Sequence, residues 1–190
     1  QDAQGDAVSE FKHSIEIAAQ DFIQRSLNAV NKIGVYGSER VIPSTALLTH
    51  CNSAAALSVI LQAQRDGKMI RVFATESRPW NQGLLTVQKL AANDVDVTLI
   101  IDSAVRYIIK DEDINAVFVG ADTVYSDGSV VNKIGTAQIA LSAHEAHIPF
   151  YVCAETYKFS VDSLTGKLVK IEERDPTEIV DPKKFPKVKF

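Results

Sequence analysis

The chain lacks a Gly-rich dinucleotide fingerprint and a Walker-type loop, so no nucleotide cofactor is indicated. It lacks any apolar run near the roughly 20 residues that span a bilayer, so no membrane partner is expected. It lacks a secretory leader pattern; Gln1 to Asp6 is polar and carries no initiator Met, so a trimmed N-terminus is expected. Cysteine is scarce: Cys51 and Cys153 cannot make a disulfide framework, and in this composition they imply a reducing, cytoplasmic setting. No Cys or His pair falls at metal-ligand spacing, so no metal is expected. Basic residues are not in excess, with 20 Lys and Arg against 24 Asp and Glu, which argues against nucleic acid as the main partner. A phosphorylated small molecule needs only a local cluster of donors and stays open.

What is present is an ordinary globular composition, 46% hydrophobic and 23% charged over 190 residues, enough for one domain with a sizeable core. Val8, Phe11, Ile15, Ala18, Phe22, Leu27 and Val30 recur at helical spacing, which predicts a long amphipathic helix from Ala7 to Lys32, ended by Gly34 and Gly37. Its apolar face must cover a sheet edge or another part of the protein. Beyond it the pattern alternates. Strands are predicted at 46–49, 69–74, 95–101, 116–119 and 150–153, and helices at 53–65, 81–92, 103–109 and 134–147. Alternation of this kind predicts an α/β fold, a Rossmann-like open parallel sheet flanked by helices. The division expected is a helical segment 1–37 and a Rossmann-like domain 38–190. From about residue 156 the domain ends in an irregular tail with Pro176, Pro182 and Pro186, wrapping as a hairpin or loop.

The reactive residue types fall after the predicted strands: Thr49-His50-Cys51-Asn52-Ser53, Thr75-Glu76-Ser77-Arg78-Pro79, Asp102-Ser103, Gly120-Ala121-Asp122 and Glu155. In a parallel sheet these ends share one edge, where ligands bind. Cys51, just before a helix start, is a candidate acid or nucleophile with its pKa lowered by the helix dipole, or else a small buried hydrophobe beside a Ser53 cap. Cys153 reads as core packing and His50 as a hydrogen-bonded packing residue. Arg78 suits a phosphate or an ion pair with Glu76 or Asp102. Asp122 is either a turn cap or a site carboxylate. Asn132 and Lys133, ahead of the last helix, suit a phosphate at its N-terminus.

Together the runs THCNS (49–53), TESRPWNQG (75–83), GADTVYSDGSVVNKIGT (120–136) and AETYKF (154–159) resemble one superfamily. It joins the alpha, beta and delta subunits of translation initiation factor 2B, methylthioribose-1-phosphate isomerase and archaeal ribose-1,5-bisphosphate isomerase. The likeness runs from Ala46 to about Val180. TESRPWNQG, AETYKF and IEERDPTEIV (171–180) look most like the ribose-1,5-bisphosphate group, whose archaeal members often carry initiation-factor names.

The resemblance implies that Cys51 and Asp122 are the catalytic pair and that Gln82, Asn132, Lys133 and Arg78 bind substrate. Because the factor subunits commonly lack that Cys, and often the Asp, retaining both implies an aldose–ketose isomerase acting on a phosphorylated sugar, in which a buried Asp122 with a raised pKa would suit the proton relay. A non-catalytic regulatory subunit that binds initiation factor 2 is the alternative, and methylthioribose-1-phosphate isomerase a further one. The resemblance also implies a homo-oligomer, a dimer or larger. The family has a helical N-terminal domain whose arginines bind phosphate and a C-terminal continuation. The chain therefore reads as a fragment, its long first helix left from that helical domain.

Overall fold

Short apolar runs become parallel strands in a computed structural model, which describes residues 2–185. In chain order they are β1 (Ala46–Thr49), β2 (Arg71–Thr75), β3 (Asp96–Ile100) and β4 (Ile114–Val119). A two-stranded antiparallel hairpin follows, β5 (Thr123–Val124) with β6 (Val130–Val131), and then β7 (Phe150–Val152). The large sheet runs β3-β2-β1-β4-β7, and all four of its pairings are parallel. The chain builds outward from β1 through β2 to β3, then returns to the other side of β1 for β4 and β7. The reversal opens a crevice at the carboxyl ends of β1 and β4, the usual ligand position in such sheets.

Strand alternation divides the core. Leu47, Val72, Ala116 and Phe118 pack on one face under α2 (Ala54–Arg65) and α3 (Gly83–Ala91). Leu48, Phe73, Val117 and Val119 pack on the other, under α4 (Val105–Asp111) and α5 (Thr136–Glu145). Leu47, Leu48 and Val117 are wholly buried, each contributing roughly 1.5–3 kcal/mol of transfer free energy.

The first helix, α1 (Asp2–Ser38), departs from expectation. It runs without a break over Asp2–Ser38, so neither Gly34 nor Gly37 ends it. Both glycines instead let it approach α2. A Cβ on Gly37 would lie 2.3 Å from Val59 Cγ2, and one on Gly34 would lie 2.9 Å from the Ser58 carbonyl oxygen. The earlier turns are uncovered: Phe11 is 67% exposed and Phe22 56%. The tail is a succession of short 3-10 turns and extended segments; no hairpin forms in it among the described residues. It is tied down by the Val169 N–H, which donates to Tyr125 Oη at 2.9 Å, and by Arg174, stacked 4.1 Å from the centre of the Trp80 ring.

Candidate active site

Beyond Thr49 the backbone turns sharply. Cys51 adopts a left-handed conformation, φ 66°, which costs a non-glycine residue on the order of 1–3 kcal/mol and needs support from its surroundings. Three bonds from neighbouring segments supply it. The Cys51 N–H donates to Ser77 Oγ at 2.8 Å, its carbonyl accepts from Thr86 Oγ1 at 2.7 Å, and its thiol points to Gln82 Oε1 at 3.4 Å. Ser77 is held in turn by Asp102, whose two carboxylate oxygens each accept a backbone N–H at 2.8 Å, from Ser77 and Arg78.

Glycines allow the remaining approaches. Gly120 ends β4 against the start of α2, where an added Cβ would meet Ser53 Oγ at 2.4 Å. Ser53, not Cys51, caps α2, accepting the Ala56 N–H at 3.3 Å. The hairpin then returns Asn132 and Lys133 beside Asp122, whose N–H donates to the Val131 carbonyl at 2.9 Å.

One cleft of about 310 Å³ results, at the lower end of the range for ligand pockets. Cys51, Gln82, Asp122, Asn132 and Lys133 all line it, together with the first turn of α2. Lys158, Glu155 and Tyr157 close another side. Tyr157 Oη donates to Glu155 Oε1 at 2.9 Å and lies 2.9 Å from Ser26 Oγ, so the first helix touches the cleft wall. Among the described residues no group of three or more His, Cys, Asp or Glu is placed to hold a metal ion.

Several expectations are corrected. Arg78 does not line the cleft; its guanidinium donates to the Ile179 carbonyl at 2.9 Å. It pairs with neither Glu76 nor Asp102 through its side chain, and those two carboxylates also lie outside the cleft. Asp122 is exposed rather than buried, because the cleft is open on its side. The helix start that lines the cleft belongs to α2, since α5 begins beyond Gly135 and turns away. The Cys51 thiol is not acidified: burial pushes it up, while the Asn52 N–H and the Lys133 ammonium pull it less strongly the other way. Cys153 is buried, as expected of core packing, with its thiol pushed up to about 12 by burial. It also forms part of the cleft wall.

Lys158 was missed from the sequence. Its signal was available, since it follows the fifth strand in a quoted motif, but a lysine in an irregular tail reads as a solvated charge. Asp102 and Ser77 act beneath the surface, through hydrogen bonds that spacing does not reveal.

The chain has known relatives. A ribose 1,5-bisphosphate isomerase of Archaeoglobus fulgidus is 52% identical over 175 residues, covering 92% of this chain and 55% of that protein. A methylthioribose-1-phosphate isomerase of Thermosipho africanus is 42% identical over 174 residues, covering 87% and 50%. Among solved structures, the translation initiation factor eIF-2B, subunit delta, from A. fulgidus superposes with a TM-score of 0.74 at 38% identity, covering 79% of this chain and 46% of that one. The chain thus spans about half the length of the curated relatives it matches. The family model described as "Initiation factor 2 subunit family" matches residues 1–188, and the chain belongs to that family.

Proposed function

We propose that the protein interconverts an aldose 1-phosphate and a ketose phosphate, with ribose 1,5-bisphosphate going to ribulose 1,5-bisphosphate. The observation that supports this most is the meeting of a protonated thiol and a carboxylate in one cleft that also holds two ammonium groups and a helix start. Curated relatives named ribose 1,5-bisphosphate isomerase, at 52% and 53% identity, supply the substrate.

The chemistry asks for those groups. An aldose phosphorylated at C1 has no free anomeric hydroxyl, so its ring opens only if the ring oxygen is protonated. Cys51 gives that proton; a thiol that burial keeps neutral suits an acid better than a nucleophile. The Gln82 amide oxygen accepting from Sγ aims it. Asp122 then takes the proton from C2 and returns it to C1, while the C2 hydroxyl proton passes back to the Cys51 thiolate as the carbonyl forms at C2. The two phosphates fall to Lys133 with Asn132 and to Lys158 with the α2 N-terminus, where backbone N–H groups and the helix dipole favour anions. Each acid–base step contributes on the order of 100- to 10,000-fold. We also place the protein in a homo-oligomer, a reading supported by the uncovered Phe11, Ile15 and Phe22 of the first helix and read directly by sedimentation.

The test is turnover of ribose 1,5-bisphosphate by the full protein, with Cys51→Ser and Asp122→Asn each losing about 100-fold or more. Parental turnover by both variants overturns the roles. Preference for methylthioribose 1-phosphate would move the substrate, in line with the relative at 42% identity. A second reading, a non-catalytic subunit binding initiation factor 2, draws on the structural neighbour described as an initiation-factor subunit. Co-purification with that factor without turnover of either sugar phosphate would favour it.

A further inference from the structure

His50 is 2% exposed, carries an ionisable ring, and has no part in the proton transfers above. It nevertheless bridges two segments, the Thr75–Ser77 strand end and the loop that follows Lys133. Its Nε2 lies 2.8 Å from the Ile134 carbonyl oxygen, which can only accept, so Nε2 carries the hydrogen. Nδ1 is then bare and accepts from the Thr75 hydroxyl at 2.6 Å. Ser77 Oγ, the group that holds the Cys51 N–H, is 3.3 Å from the same Nδ1 and 3.1 Å from Thr75 Oγ1. The ring is also pressed on one side by Gly135, where a Cβ would stand 3.0 Å from both Cε1 and Nε2.

These contacts have a direction. On the Nδ1 side lies the Thr75–Ser77 pair that sets the left-handed turn of Cys51. On the Nε2 side lies the loop carrying Asn132 and Lys133, which is bonded through Val131 to Asp122. We propose that His50 is a positioning residue that clamps the Asn132–Ile134 loop to the Cys51 turn and so sets the distance between the thiol and the Asp122 carboxylate. The proposal rests on the isomerase reading for its kinetic consequence, but the clamp itself does not. Without the Nε2–H bond, Ile134 has no partner on the strand end and the two halves of the site part. A misplacement near 1 Å between reacting groups costs about 100-fold.

The experiment compares His50→Ala and His50→Gln in the full protein. A glutamine amide can place an N–H close to where Nε2 stands. Hydrogen exchange at amides 131–136 tests the clamp without substrate. Exchange there rises by about 10-fold or more in His50→Ala and returns toward the parent in His50→Gln. Turnover of ribose 1,5-bisphosphate tests the consequence. In folded His50→Ala, kcat falls by about 100-fold with KM raised far less, and His50→Gln recovers most of it. Unchanged exchange in His50→Ala overturns the clamp. So does exchange that rises equally in both variants, or a kcat that stays parental while the loop opens. Should the parent itself turn over no sugar phosphate, the isomerase reading fails alone, and the exchange measurement still decides the clamp.

Discussion

Gly83→Ala is the sharpest single-atom perturbation available to this fold. Gly83 opens α3 and donates its N–H to the Glu76 carbonyl at 3.1 Å. A Cβ there would stand 1.7 Å from the Thr75 carbonyl oxygen, 2.8 Å from the Thr75 carbonyl carbon and 3.1 Å from that of Glu76. All three are backbone atoms, so no rotamer relieves the clash. Restoring even a tight 3.0 Å contact from 1.7 Å moves the helix start or the end of β2 by about 1.3 Å. Gln82 precedes Gly83 and meets the Cys51 thiol at 3.4 Å; Thr75 donates to His50. The displacement therefore lands on the group that aims the thiol. Overpacking of this kind costs about 1–3 kcal/mol, which lowers Tm by roughly 2–4 °C per kcal/mol at this chain length. The misplaced thiol should cost about 100-fold in kcat/KM on ribose 1,5-bisphosphate. Gly67→Ala is the control: its φ of 74° makes alanine strained, but nothing lies within 4 Å and the turn lies outside the cleft. It should lose about 1–2 kcal/mol of stability and no activity. A Gly83→Ala protein within about twofold of parental kcat/KM and with an unshifted Tm would refute the reasoning.

The two lysines and Arg78 should separate cleanly. Lys133→Met and Lys158→Met should each raise KM by about 10-fold or more, the weight of a desolvated charge-assisted bond of roughly 1.5–3 kcal/mol, while Arg78→Ala stays within about twofold; equal effects at all three would displace the phosphates from the cleft. Burial lowers the His50 pKa from its usual 6.5, against weaker raising by the Ile134 carbonyl and Asp102, with Lys133 adding to the lowering. The unfolded chain therefore binds this proton first. Stability should fall as pH drops below 6.5, by at most about 1.4 kcal/mol per pH unit. Urea unfolding at pH 7 and pH 5 should show a smaller loss in His50→Gln than in the parent, since the other three histidines are exposed; an identical loss would place the effect elsewhere. Both thiols are raised above 9.0, so at pH 8 each should alkylate with iodoacetamide more slowly than a free thiol, Cys153 slowest. Faster reaction of Cys51 would mean a thiolate and would remove it as the acid.

The centre of the sheet was legible because β1, β2 and β4 are buried on both faces. Leu47-Leu48 and Val117-Phe118-Val119 are continuous apolar runs, and such runs between turn residues have few other readings. The alternation of strands and helices made the parallel sheet legible, but it does not fix an order, and β3-β2-β1-β4-β7 is seen only in the structure. Gly34 and Gly37 misled because glycine signals a stop in the sequence by the same property, no Cβ, that lets two helices touch. Topology alone put Cys51 and Asp122 at strand ends on one sheet edge, and both line one cleft; it left a turn cap or a packed thiol open, and only the family resemblance singled them out as a pair. Arg78 was placed wrongly because strand-end position says nothing about which way a long side chain leaves the backbone, and the Ile179 carbonyl that takes it lies a hundred residues further on. The assumed burial of Asp122 failed for a related reason: exposure is a property of what stands opposite. The Asp102–Ser77–Cys51 chain was invisible because none of its links is periodic.

The main-chain bonds that fix Cys51 come from Ser77 and Thr86 and use none of its side chain. The sulfur is a passenger on a turn that others hold. On the isomerase reading proposed above, exchanging it for another small group would remove the proton donor while leaving the cleft, its two ammonium groups and the α2 start in place. Such a chain would still receive the sugar phosphate and would not transform it. On that reading, the distance within this fold between an enzyme and a sensor for the same molecule is a single side-chain atom.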